Sequence, residues 1–168
     1  FLLMVSGSWD YSVFLYNISV LPPAIKFHLK HHTKYVHCVS FHPTLPFLAT
    51  GSGDALTFLY DISALFVSST VLTSTTSEPS SQLTIKYQLK DHRHTVSSVA
   101  FHAHLHLLAT SSHDQTVIVY DLTTSPPSIK HHLKDHNYYV RSVDFHLSLP
   151  LLASGGNSTV MFYNLDRM

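Results

Sequence analysis

The sequence predicts an all-β fold built of four-stranded antiparallel units that follow one another along the chain. Three observations carry this: a long stretch that returns in register, runs of strand length in each copy, and turn-forming residues between the runs. Residues 41–61 read "FHPTLPFLATGSGDALTFLYD", residues 101–121 read "FHAHLHLLATSSHDQTVIVYD", and 145–164 hold a shortened form, "FHLSLPLLASGGNSTVMFYN". A decayed copy, "LLMVSGSWDYSVFLYN", occupies residues 2–17.

With His32, His92 and His136 as origins, Val36, Val96 and Val140 align, as do Val39, Val99 and Val143, then Phe41, Phe101 and Phe145. Ala49, Ala109 and Ala153 continue the register, followed by Asp54 and Asp114, then Tyr60 and Tyr120. The last copy lacks one turn residue, so Asn157 and Tyr163 fill those last two places. The period is the 44 residues from His92 to His136, and the 60 from His32 to His92 therefore contain 16 extra. The expected units are approximately 1–31, 32–91, 92–135 and 136–168.

In the best-preserved unit, runs rich in Val, Phe, Tyr, Ile and Thr predict strands over 36–41, 47–52, 56–61 and 83–89. His42-Pro-Thr-Leu-Pro46 and Gly51-Ser-Gly-Asp54 are the turn signals between them, and Pro22-Pro23 and Pro126-Pro127 mark loops in neighbouring units. The run Val117-Ile118-Val119-Tyr120 is apolar on both alternating faces, as expected of a sheet covered on both sides. No run shows a helical period.

At 168 residues, 45% apolar and 12% charged, the chain has the material for one ordered domain. Ten basic and ten acidic residues cancel, which leaves no basic stripe for a nucleic-acid backbone. The single cysteine, Cys38, cannot form an internal disulfide, which fits the reducing cytosol or nucleus. Apolar runs fall well short of the roughly 20 residues of a membrane helix, so no transmembrane segment is expected.

The pattern His-x3-Val-x2-Val-x-Phe-His-Pro, followed by Leu-Ala-Thr-Gly-Ser-x-Asp and Tyr-Asp, resembles the WD40 repeat over nearly the whole chain. The resemblance implies a β-propeller of four-stranded blades, about four partial ones here, with roughly 40 to 45 residues per repeat. The repeats have diverged. The family's Trp-Asp pair is replaced by Tyr60-Asp61, Tyr120-Asp121, Tyr16-Asn17 and Tyr163-Asn164, and the Gly before the repeat's His is His31, Asp91 or Asp135.

His32 with Thr50 and Asp54, His92 with Thr110 and Asp114, and His136 with Ser154 and Asn157 bring together the groups of a nucleophilic triad. A catalytic set is needed once, whereas this one recurs in every copy, and the resemblance implies a structural hydrogen-bond network at these positions. Each imidazole would join a turn carboxylate to a strand hydroxyl, avoiding about 1 to 3 kcal/mol per buried unpaired group. In the family a Trp completes the network. A Tyr hydroxyl has a different reach, so a three-membered network is expected.

Fifteen histidines raise the question of a metal, above all at His102, His104 and His106. The equivalent residues of the preceding copy, His42, Thr44 and Pro46, mark a turn, and no Cys or carboxylate nearby completes a tetrahedral shell. A solvated turn, without metal or cofactor, is expected. Residues 63–81 hold eleven Ser or Thr and one charge where the extra length falls, which reads as an inserted surface loop or, alternatively, a phosphorylated docking segment.

The resemblance further implies that the segment after each repeat's His, and the turn before its Asp, face the main binding surface. Carried over position by position, this exposes Lys34, Tyr35, Arg93, His94, Asn137, Tyr138 and Tyr139, with Trp9 and His113. Aromatic residues and Arg are favoured anchors at protein interfaces. The expected function is a non-catalytic scaffold that docks protein or peptide partners in a multiprotein complex. Tyr60-Asp61-Ile62-Ser63-Ala64-Leu65, followed by an insertion, resembles coatomer alpha propellers and gives a coat or vesicle-trafficking subunit as the alternative. A metal-dependent or Ser/His/Asp hydrolase is a third class. The first unit lacks its first strand and the last its fourth, so completion by further blades or by self-association is expected.

Overall fold

The computed structural model describes residues 2–66 and 83–168. Fourteen strands follow in order: β1 (Leu3–Gly7), β2 (Val13–Asn17), β3 (Ala24–Leu29), β4 (Val36–Phe41), β5 (Phe47–Ser52), β6 (Thr57–Asp61), β7 (Ile85–Leu89), β8 (Val96–Phe101), β9 (Leu107–Ser112), β10 (Val117–Asp121), β11 (Ser128–Leu133), β12 (Val140–Phe145), β13 (Leu151–Gly156) and β14 (Val160–Asn164). They form four antiparallel sheets in chain order, β1-β2-β3, β4-β5-β6-β7, β8-β9-β10-β11 and β12-β13-β14. These are propeller blades, complete in the middle of the chain and three-stranded at either end. The run expected over 36–41 is β4 and that over 47–52 is β5, while β6 and β7 start one and two residues later than the runs suggested. Of the expected insertion, Ser63–Leu65 forms a 3-10 turn that buries Leu65, and residues 67–81 lie outside the described residues.

Each blade packs on the next, β1 against β4, β4 against β8 and β8 against β12. The period-2 alternation of strands explains how one blade serves two neighbours. Leu108, Ile118 and Tyr120 join a core with Ala49, Leu59 and Leu89 of the second blade. Leu107, Ala109, Val117 and Val119 join another with Val140, Val143 and Leu152 of the fourth. A third core unites Val13, Leu15 and Leu29 with Val36, Leu48, Phe58 and Tyr60. At about 1.5 to 3 kcal/mol for each fully buried large aliphatic side chain, these three layers supply the main stabilisation.

Neighbouring blades approach so closely that a side chain is excluded at Gly7, where a Cβ would lie 2.6 Å from Val36 Cγ1, and at Gly51. A Cβ added at Gly51 would lie 2.6 Å from both Cys38 Sγ and Val96 Cγ1. Burial there also pushes the Cys38 thiol up to about 12, which makes it a packing group rather than a nucleophile. At the far end of the arc, Val160 and Phe162 are 62% and 81% exposed, whereas Val117 and Val119, their counterparts one blade earlier, are fully buried. Among the described residues, no helix is long and apolar enough to cross a membrane.

Candidate docking face

Antiparallel order puts the loops entering β4, β8 and β12 at the same end of the blades as the β1–β2, β5–β6, β9–β10 and β13–β14 turns. Three of those turns share one construction. The residue after the turn Asp adopts a left-handed backbone, at Tyr11 (φ 75), Ala55 (φ 69) and Gln115 (φ 76). Strain of about 1 to 2 kcal/mol per such residue is offset by the carboxylate, which in all three accepts the N–H two residues on and in Asp54 and Asp114 also the N–H just after the blade's His. Asp54 Oδ1 accepts from Leu56 N–H at 3.0 Å and Oδ2 from Thr33 N–H at 2.9 Å.

The same Asp54 Oδ2 accepts the Nδ1 proton of buried His32 at 2.9 Å, and His32 Nε2 takes the Thr50 hydroxyl at 2.8 Å. In the third blade His92 meets Asp114 at 2.9 Å and Thr110 at 2.8 Å. Burial alone would raise the Asp114 carboxyl, but hydrogen bonds from His92, Thr116 and the Arg93 N–H outweigh it and hold the group well below the usual carboxylate range. Asp54 is lowered by the same balance, with His32 and Thr33 as donors.

Two expectations are corrected here. In the fourth blade His136 bonds Ser154 at 2.7 Å, but its Nδ1 meets the Thr159 hydroxyl at 3.1 Å, not Asn157. Asn157 instead accepts from Arg141 Nε at 2.7 Å. The missing turn residue closes a tighter hairpin, with Gly156 N–H donating to Thr159 C=O at 2.8 Å, and so turns Asn157 away from the ring. The network also extends beyond three members where the Tyr has its own reach. The Tyr120 hydroxyl donates to Asp91 at 3.0 Å, and the Tyr60 hydroxyl bonds His31 Nδ1 at 3.1 Å, so in these two blades the residue just before the His is the tyrosine's partner, whereas the buried Tyr163 hydroxyl makes no such bond.

The candidate docking residues separate into groups. Trp9, 74% exposed and the most exposed aromatic residue among these candidates, stacks on Tyr35 across the first junction at 5.1 Å between centroids. Tyr11 adds to that group, 5.6 Å from Tyr35. At the third junction His94, His113 and Tyr139 form one stacked group, with Tyr138 and Asn137 exposed beside it in sequence. Lys34 is exposed and packs its Cβ toward Gly53. Arg93 goes elsewhere, into a polar cleft of about 280 Å³ shared with Asp91, Asp114, Thr116, His132 and Lys134.

Sequence reasoning missed His37 and Arg141. A bulge at the start of β4, β8 and β12 skips one residue in the ladder, leaving His37 and Arg141 exposed, while Ser97 in the same position donates to Val140 C=O of the next blade at 2.6 Å. It also missed the role of His42, His102 and His146 at the opposite end. Each accepts two turn N–H groups on Nδ1, as His102 does from His104 and Leu105, both at 3.1 Å. His102 Nε2 then donates to Leu149 C=O of the next blade at 3.1 Å. The 102–106 turn is therefore solvated at His104 and His106 but not at His102, which is fully buried. The recurrence of His directly after the aligned Phe was the available signal. Among the described residues, no group of three His, Cys, Asp or Glu is placed to hold a metal ion.

Comparison with known families matches the WD domain, G-beta repeat, at residues 24–61, 83–121 and 127–164, together more than half of the chain. Each matched unit begins on the outermost strand of one blade and ends on the third strand of the next. The nuclear distribution protein nudF of Aspergillus flavus and that of Aspergillus oryzae are each 29% identical over 133 residues, covering 63% of this chain and 29% of the relative. The chain thus spans well under half the length of these relatives.

Proposed function

The chain belongs to the WD40 family, and from that premise we propose that it is a non-catalytic docking platform whose end face captures a protein or peptide partner in a multiprotein assembly. The observation that carries the proposal is the pair of aromatic groups at the blade junctions, Trp9 with Tyr35 and Tyr139 with His113, held half-exposed on a rigid scaffold. Large rings fixed at the rim of a stable face desolvate at little entropic cost, which is what an interface anchor requires. The repeated His, hydroxyl and carboxylate sets supply rigidity rather than chemistry, since the His and hydroxyl members are buried within each blade and the set recurs from blade to blade. A setting in nuclear distribution, by analogy with the named relatives, and a cytoplasmic or nuclear location belong to the same proposal. The coat-subunit alternative rests on residues 60–65 alone.

The test is a purified partner, first identified by capture on the chain. Tyr138→Ala together with Tyr139→Ala should weaken its binding at least tenfold, the loss of about 1.4 kcal/mol, while the circular dichroism of the sheets stays unchanged. Unchanged affinity in a folded double variant places the docking surface elsewhere.

A further inference from the structure

The loops at the end opposite the docking face carry no formal charge. Antiparallel order places the β2–β3, β4–β5, β6–β7, β8–β9, β10–β11 and β12–β13 connections there. Among the described residues these are 18–23, 42–46, 62–66 with 83–84, 102–106, 122–127 and 146–150, and none of them is Asp, Glu, Lys or Arg. Of the carboxylates at the adjoining strand ends, Asp61 pairs with Lys86 at 3.0 Å and Asp121 accepts the Thr123 N–H at 2.8 Å. Asp166 and Arg167, beyond β14, bring one charge of each sign. The docking end, by contrast, holds Lys34, Asp91, Arg93, Lys134 and Asp135 in its loops.

Leu21 and Leu147 protrude from this uncharged end, 92% and 75% exposed, and Leu105 and Leu149 are exposed there too. Large apolar side chains gathered on one face mark a surface that something covers. The same end is also concave. A cavity of about 410 Å³ lies at the second blade, between the His42–Pro46 turn and Ser63 and Phe66. A smaller one of about 120 Å³, sharing His42, Leu45 and Phe66, adjoins it toward Leu3 of the first blade. A void of roughly 150 Å³ already accepts a benzene ring, so the larger cavity has room for a whole leucine side chain.

We propose that this end pairs with the same end of a second copy of the chain, about a two-fold axis that runs along the third blade. The turns 42–46 and 146–150 flank the 102–106 turn, one blade to either side, so that axis lays the fourth blade of each copy over the second blade of the other. Leu147 of one copy then enters the cavity between Pro43 and Phe66 of the other, and the reverse, while the two Leu105 side chains meet near the axis. A closed dimer requires one patch that is complementary to itself, and a knob and a hole on one face meet that requirement. Two uncharged ends also meet without like-charge repulsion. A membrane is a poorer occupant: a bilayer has no fixed knob to fill a rigid hole, and the described residues of these loops hold none of the Trp, Tyr, Lys or Arg that anchor proteins at its interface. The pairing does not depend on the docking reading; where both hold, the pair turns two docking faces outward and becomes bivalent.

Sedimentation equilibrium of the 168-residue chain is the test. The parent should sediment as a dimer, at twice the 18.9 kDa of one chain. Leu147→Lys on the knob and Phe66→Glu at the cavity should each raise the dimer dissociation constant about tenfold or more, with unchanged circular dichroism, since both side chains are exposed in the single chain. An equal mixture of the two variants should recover the dimer, because the mixed pair keeps one native contact and sets opposite charges at the other. Phe162→Lys, on the uncovered face of β14, should leave the dimer intact. A monomeric parent overturns the proposal, as does failure of the mixture to pair, or dissociation by Phe162→Lys alone, which would place the contact at the end of the arc. Flotation of a monomeric parent with phosphatidylcholine vesicles, abolished by Leu147→Lys, would overturn it by assigning the same leucines to a lipid surface.

Discussion

The ring of Tyr139 lies against the imidazole of His113, 4.6 Å between centroids and 18° from parallel, across the junction of the third and fourth blades. Trp9 and Tyr35 occupy the same two repeat positions at the first junction, 5.1 Å apart and at 28°. At the middle junction these positions fall to Gly53 and Thr95, so two aromatic pairs flank a gap. Such a pair contributes about 0.5 to 1.5 kcal/mol beyond its burial, so Tyr139→Ala should lower the unfolding free energy in urea by about 1 kcal/mol and leave the fold intact. A loss of several times that would make these rings part of the core instead of the rim.

Asp114→Ala should destabilise the chain by about 1 to 3 kcal/mol, because it orphans buried His92 and frees the strained Gln115 turn. Asn157→Ala, which touches only exposed Arg141, should cost about 0.5 kcal/mol or less. Chemical denaturation of the two variants side by side decides this, and equal shifts would contradict the assignment of the network.

The fold was legible because its signal is repeated: the aligned Val, Phe, Ala and Tyr positions recur at core sites in blade after blade. The His32 and His92 networks were legible for the same reason. Asn157 misled because a single missing residue leaves its place in the alignment intact while changing the hairpin that aims its side chain. The partners of Tyr60 and Tyr120 depend on how far a phenol reaches across a packed blade, which spacing along the chain does not encode. His37 and Arg141 were hidden because a bulge leaves no mark in composition.

Gly51→Ala should cost about 1 to 3 kcal/mol, since the new methyl would meet Val96 Cγ1 and Cys38 Sγ at 2.6 Å. A thermal midpoint equal to that of the parent chain would show that β5 can part from β4 and β8 without penalty.

Stability should fall with acid in two steps. Burial, with His106 nearby, lowers His42 to about 4, below its ordinary value near 6.5, so the unfolded chain binds this proton more readily. Its contribution is complete above pH 6.5 and is lost as the pH falls toward about 4. Asp54 and Asp114 are depressed in the folded state, so their contribution is complete above the ordinary carboxylate value of 3.8 and declines below it. His42→Gln should flatten the first step and Asp114→Asn should weaken the second, as read from urea midpoints across that range. An unchanged profile in both variants would contradict this assignment.

The central claim is that partners dock on the end of the arc where the His-bearing loops and the Asp turns meet. Amide hydrogen exchange of the chain with and without its purified partner tests it most directly, because protection maps contact without altering any residue. The account predicts new protection over residues 33–35, 93–95 and 137–139, with residues 43–46, 103–106 and 147–150 at the opposite end unchanged. Protection confined to that opposite end, or to the uncovered strand β14 with Val160 and Phe162, would contradict it.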